Sequence, residues 1–203
     1  MMPEGLDANS VASHSDGSLL FTVLMHHGDT FVDVFDGKKT GAVYAWSPGD
    51  ISAQKVTGSE LPGNNGIEVS KDGTVVYVVS TGLSTISVFS NTNPMRLLRT
   101  TARMDFSPDN IHMTPGGLIM TGGPSWIDHA CETAEGLDLA AFATCPRGSV
   151  DATFDPVTLK EVERWSARAD QAFSNATMAL NVGDDVWLGT FSGTRFGIIS
   201  SDR

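Results

Sequence analysis

The segment GNNGIEVSKDGTVVYVVSTGLSTISVFS, residues 63–90, with MRLLRTTA at 95–102, decides the fold. It holds four short runs rich in Val, Ile, Tyr and Phe: GIEVS, VVYVVS, STISVFS and MRLLRTTA. Between them stand Asp72-Gly73, Thr81-Gly82 and the Asn-Thr-Asn-Pro stretch at 91–94. β-branched and aromatic runs bounded by turn residues read as strands. Four such strands joined by tight turns make one blade of a β-propeller.

The same phrase recurs on both sides. Upstream, ANSVASHSDGSLLFTV (8–23) places Asn9 before a strand, then Asp16-Gly17, then a second strand. Downstream, SPDNIHMTPGGLIMTGG (107–123) does so with Asp109-Asn110 and Gly116-Gly117. A degenerate copy begins at Ala176 and runs through Gly183-Asp184 into VWLGT. Repetition at blade length marks propellers and solenoids. The expected blades are 5–57, 63–103, 108–167 and 174–203, within one all-β domain over 1–203. The last has only three strands, so about three and a half to four blades are expected. Either four blades close a ring, or the chain lacks about two N-terminal blades of a larger one. The second reading is preferred, because closed propellers complete the circle to remove open sheet edges.

Asn9 and Asn65 are 56 residues apart and Asn65 and Asn110 are 45 apart. The longer spacing comes from the polar excursion MHHGDTFVDVFDGKKTG at 25–41. An amide or carboxylate repeated at the start of successive blades has two readings. Asn and Asp there can close Asx-turns, or aim side-chain oxygens at the propeller axis and hold a cation.

The chain carries 24 acidic and 13 basic residues, a formal charge of −11. That excludes nucleic acid and anionic membranes as expected partners, since both require clustered Lys and Arg. Helix-period apolar stripes are scarce, and no run reaches transmembrane length. The start MMPEGLDANS lacks the basic and apolar regions of a signal peptide. Cys131 and Cys145 lie in HACETAEGLDLAAFATC, 129–145. They are read either as a loop disulfide or as two free thiols. A bridge, with a leader lost from the N-terminus, implies a periplasmic or secreted protein; free thiols imply the cytoplasm. No Gly-x-Ser-x-Gly elbow, Walker loop or dinucleotide fingerprint occurs.

Taken together, these stretches, with GAVYAWSPG (41–49) and DVWLGTFSGTRFGIIS (185–200), resemble the gluconolactonase/regucalcin family and its paraoxonase and strictosidine-synthase-like relatives. The resemblance covers essentially the whole chain but only the C-terminal two-thirds of such a protein. It implies a six-bladed propeller with a divalent cation, usually calcium, near the centre of one face. By this resemblance Asn65 and Asp109 match metal-ligand positions, Asn110 is a neighbour that paraoxonase-like members also use, and Asn9 matches the preceding blade. The acidic ligand of the first blade has no counterpart here. The implied activity is hydrolysis of a small lactone or ester, with the metal as Lewis acid and Asp109 and Asn65 as its principal protein groups. Two alternatives remain: a non-catalytic or truncated propeller with structural calcium, and a strictosidine-synthase-like enzyme that does not use the metal.

Four further residues are candidates to face a substrate. His26 and His27, after strand LLFTVL, read either as solvated loop residues or as a base and a substrate contact. His129, beside Cys131, is placed at the mouth of the site. Trp126, in GGPSWID after a strand, is the aromatic expected to face a ligand.

Overall fold

A computed structural model describes residues 2–129, 144–169, 172–191 and 193–200. It is an all-β propeller fold with about four blades. The described residues form two compact units, Met1–Arg103 and Met104–Arg203.

The first unit holds two four-stranded antiparallel sheets. One is built from β1 (Ser10–Ser13), β2 (Leu19–Val23), β3 (Ala42–Trp46) and β4 (Gln54–Lys55), in that order. The other uses β5 (Asn64–Val69), β6 (Val75–Ser80), β7 (Thr85–Ser90) and β8 (Leu97–Thr100). Each strand pairs with its sequence neighbour, mostly across short turns, although residues 24–41 intervene between β2 and β3. Asp16 and Asp72 close the first turn of their blades by accepting from Ser18 N at 2.8 Å and Thr74 N at 3.1 Å. The facing sides of the two sheets share a core of Ala12, Leu20, Val43, Ile67, Val76, Val78 and Phe89.

The polar excursion at 25–41 contains a short helix, α1 (Phe31–Phe35), which the sequence reading did not anticipate. Thr30 caps it: Asp33 N donates to Thr30 Oγ1 at 3.3 Å, and Thr30 N donates to Asp33 Oδ2 at 2.8 Å. Val34 is fully buried and wedges the helix against the turns around Gly63 and Gly82 of the second sheet. A methyl group at Gly82 would strike the Val34 carbonyl, so this seat exists only for glycine.

The second unit holds β9 (Ile111–Met113), β10 (Ile119–His129), β11 (Arg147–Phe154) and β12 (Glu161–Ala167) in one sheet. A three-stranded sheet follows: β13 (Ala176–Val182), β14 (Asp185–Thr190) and β15 (Gly197–Ile199). Met120, Ala179 and Leu188 form the core between them, flanked by Trp165, Phe173, Val186 and Ile199. β10 lies against β13 at Gly122, where a Cβ would make ordinary contact with Met178 and Ala179 at 3.4–3.6 Å.

Candidate functional site

The adjacent amides Asn64 and Asn65 occupy a β-bulge, where the β5–β6 register shifts between Asn64 and Ile67. They do different work. Asn64 is fully buried and satisfied at both ends: its Oδ1 accepts from Leu61 N at 2.9 Å, and its Nδ2 donates to the Ser59 carbonyl at 2.9 Å. It ties the incoming loop to the strand. Asn65, 4 % exposed, donates from Nδ2 to Thr81 Oγ1 at 3.0 Å. Its Oδ1 is buried with no hydrogen-bond donor among the described residues. Leaving a buried carbonyl oxygen unpaired costs about 1–3 kcal/mol, so this amide is held in a state that a cation or other electrophile would complete.

Asn9, in the same unit, is exposed, and its backbone N–H donates to the Thr22 carbonyl at 2.8 Å. In the second unit, Asp109 and Asn110 are half-buried at the entry to β9. Asn110 Nδ2 donates to Asp109 Oδ1 at 3.1 Å and to the Thr177 carbonyl at 3.1 Å. The Asn110 backbone N–H reaches the same Thr177 carbonyl at 3.0 Å, and the Asp109 N–H donates to Gly122 O at 3.0 Å. The carboxylate is therefore steadied by a neighbour that is itself fixed to β13.

A recurrent hydroxyl, missed in the sequence, organises these positions. Thr22, at the end of its blade's second strand, accepts from Ser10 N at 3.1 Å. Just past the second strand of the next blade, Thr81 accepts from Asn65. Thr121 donates to the Asn110 carbonyl at 2.7 Å, and Thr190 to the Ser174 carbonyl at 2.8 Å. The signal stood in LLFTV, VVSTG, LIMTG and WLGTF. Of these four hydroxyls, Thr81 is the one that fastens a side-chain amide, which is why Asn65 is both anchored and open. At the fourth blade Asn175 is spent on structure: Arg147 N donates to its Oδ1 at 2.9 Å, and its Nδ2 donates to Cys145 O at 3.0 Å.

The other candidates divide. His26 is half-buried, with Nε2 at 3.1 Å from Tyr44 Oη, and burial raises the Tyr44 phenol above its ordinary pKa. His27 is exposed. Trp126 lies inside β10 rather than after it, half-buried, with the Arg147 guanidinium 5.7 Å from its ring centre. The strand continues so far because Gly123 lets it pass the Ser107 backbone, and Phe106 then pairs with Ser125. His129 ends β10, and its side chain lies outside what is described. Cys145 is buried and is not a free thiol; Cys131 lies outside the described residues, and with it the pairing.

Among the described residues no group of three or more His, Cys, Asp or Glu side chains gathers around one point. The four expected ligands are three amides and one carboxylate, a donor set of a different kind. Amide and carboxylate oxygens are hard donors suited to calcium, and the orphaned Asn65 Oδ1 fits that use.

The family model described as SMP-30/Gluconolactonase/LRE-like region matches residues 2–128. No curated protein matches the chain in sequence. Among solved structures, the chain superposes on a protein from Lactobacillus plantarum with a TM-score of 0.60 at 12 % identity, covering 100 % of this chain and 54 % of that one. It superposes on a calcium-binding protein, regucalcin, from Agrobacterium tumefaciens at 0.58 and 14 % identity, with coverages of 94 % and 56 %. For a periplasmic gluconolactonase of Pseudomonas aeruginosa the values are 0.58 and 17 %, with 97 % and 50 %. These likenesses establish the fold. The chain spans about half the length of the structures it matches.

Proposed function

Because this chain belongs to the SMP-30/gluconolactonase/LRE-like family, we propose that it serves as a calcium-dependent hydrolase of small lactones or esters. The observation that carries the reading is the buried, unpaired Oδ1 of Asn65 beside a fully satisfied Asn64. The proposed ligands are Asn65 and Asp109, with Asn9 and Asn110. When bound, a divalent ion would polarise the scissile carbonyl and lower the pKa of a bound water.

The chain's own residues prepare for that chemistry. The Thr81 hydroxyl takes one N–H of the Asn65 amide and so fixes which way its oxygen faces. Burial keeps water from competing for that oxygen. Asp109 supplies the one negative charge among the four candidates, and Asn110 steadies the carboxylate by donating a hydrogen bond to it. One carboxylate among neutral amides would leave net positive charge on the ion, which favours a developing oxyanion. His26, His27, Trp126 and His129 are the proposed substrate-facing groups. Of these, His26 already shares a hydrogen bond with Tyr44, which orients its ring.

Thermal unfolding in calcium and in chelator tests the binding claim, and lactone and aryl-ester hydrolysis tests the activity. Calcium at a hundredfold excess over its dissociation constant should stabilise the protein by about 2.7 kcal/mol. Asp109→Ala should abolish both that gain and metal-dependent turnover. Hydrolysis that survives chelator, or is unchanged in Asp109→Ala, would refute the reading.

A further inference from the structure

Within the second unit, a groove of about 470 Å³ opens between the sheet of β9–β12 and the sheet of β13–β15. Strand register places its polar side. Asp151 pairs with Trp165 and Thr153 with Glu163 across β11 and β12, so these four side chains share one face. Asp151 is 5 % exposed and Thr153 6 %, and both line the groove. Asp151 Oδ1 and Thr153 Oγ1 are buried with no hydrogen-bond partner among the described residues. Glu163 is exposed and carries the acceptors out to solvent.

No cation among the described residues answers them. Arg164, the basic residue of the lining, is committed to Asp105 at 2.8 and 3.0 Å and to Glu161 at 2.9 Å. Met120 and Val186 supply apolar wall, and Trp165 an aromatic one. The lining thus sets three acceptors beside a mainly apolar trough that also holds Asn181 and Thr114.

We propose that this groove is a binding site for a small primary ammonium ion carried on an apolar body, an alkyl- or arylalkylamine. An ammonium group has three N–H donors, and Asp151, Thr153 and Glu163 offer three acceptors on one face. A divalent ion needs six or more oxygens around it, whereas the side chains lining the rest of the groove are mainly apolar, with Asn181 and Thr114 as the further polar ones. Trp165 adds the aromatic surface that favours an organic cation. The site is independent of the calcium reading and uses none of its residues.

The groups facing Asp151 set the pH behaviour. Glu163 on β12 repels its charge, Arg164 on that strand is already paired, and His112 lies further off on β9. The groove lining from β10, β13, β14 and β15 is uncharged. Burial and Glu163 raise the Asp151 carboxyl to about 7, so the amine should bind better above neutrality, where Asp151 is ionised.

The test is calorimetric titration of the full chain with phenethylammonium, and with phenethyl alcohol as its neutral counterpart, in mildly alkaline and mildly acidic buffer. Expected are saturable binding of the amine at alkaline pH, weaker binding at acidic pH, and none of the alcohol. Asp151→Asn should weaken binding roughly thirtyfold or more, the usual cost of removing one buried charged partner. If that variant does not fold, Glu163→Gln, at an exposed position, carries the same test with a smaller loss. No saturation, equal binding of the alcohol, or affinity indifferent to the charge at 151 and 163 would overturn the proposal.

Discussion

Replacing Asp151 by asparagine should change how the protein's stability depends on pH. The side chain is nearly sealed in the second unit, no cation among the described residues pairs with it, and Glu163 adds repulsion. Its folded pKa therefore rises from 3.8 to about 7. The folded state then holds this proton where the unfolded chain has released it. Stability from the group is complete below about pH 4, falls as pH rises toward 7, and levels off above. A span of about three pH units at 1.36 kcal/mol each gives about 4 kcal/mol. The amide that Asp151→Asn introduces cannot titrate, so the variant lacks this descent. Asp16, Asp33, Asp72 and Asp155, whose turn and cap hydrogen bonds lower their pKa values, contribute the opposite slope in both proteins and cancel in the difference. Urea unfolding of both proteins between about pH 4.5 and 8.5 reads this directly. The wild type should lose about 3 kcal/mol relative to the variant across that range, the rest having been lost below about pH 4.5. Parallel curves, or a relative change under about 1 kcal/mol, would refute the account of a buried, unpaired carboxyl.

The adjacent amides should separate cleanly. Asn64→Ala leaves the Leu61 N–H and the Ser59 carbonyl buried without partners and should cost about 2–5 kcal/mol in denaturant unfolding. Asn65→Ala should cost far less, because it frees only the Thr81 hydroxyl, yet should erase any calcium-dependent rise in melting temperature. Gly82→Ala drives a methyl into the Val34 carbonyl and to 2.9 Å from Pro62 Cβ, and should lower stability by about 1–3 kcal/mol by overpacking. Thr30→Ala removes the cap of α1 and should cost about 1 kcal/mol, seen in thermal melts.

The all-β fold could be read from GNNGIEVSKDGTVVYVVS because local chemistry writes it. Period-two strands and Asp-Gly turns form from near neighbours, and Asp16 and Asp72 make the turn bonds that their positions suggest. Helix α1 escaped because five residues, Phe31–Phe35, are too few for a helical period to show. Its cap, Thr30 with Asp33, is a legible signal, but the deciding contact is Val34 against residues 63 and 82, far along the chain. Asp151 escaped for a related reason. SVDATF alternates polar and apolar residues, so Asp151 reads as solvent-facing, yet β11 is buried on both faces. The difference between Asn64 and Asn65 was equally hidden. It depends on Thr81, on Ser59 and on a bulge, and identical residue types carry no record of those partners.

The anchoring of Asn65 also bears on how the molecule ages. Asn65 precedes Gly66, and in a loose chain such a pair deamidates readily: the glycine nitrogen attacks the asparagine side-chain carbonyl, ammonia leaves, and water reopens the ring to aspartate or isoaspartate. In β5 the strand pairing and the Nδ2 bond to Thr81 restrict the rotations that such an attack requires. The fold therefore protects its most exacting amide from its own neighbour. Each episode of unfolding exposes it to a change that refolding cannot reverse, and isoaspartate at residue 65 would be the chemical record of time spent unfolded.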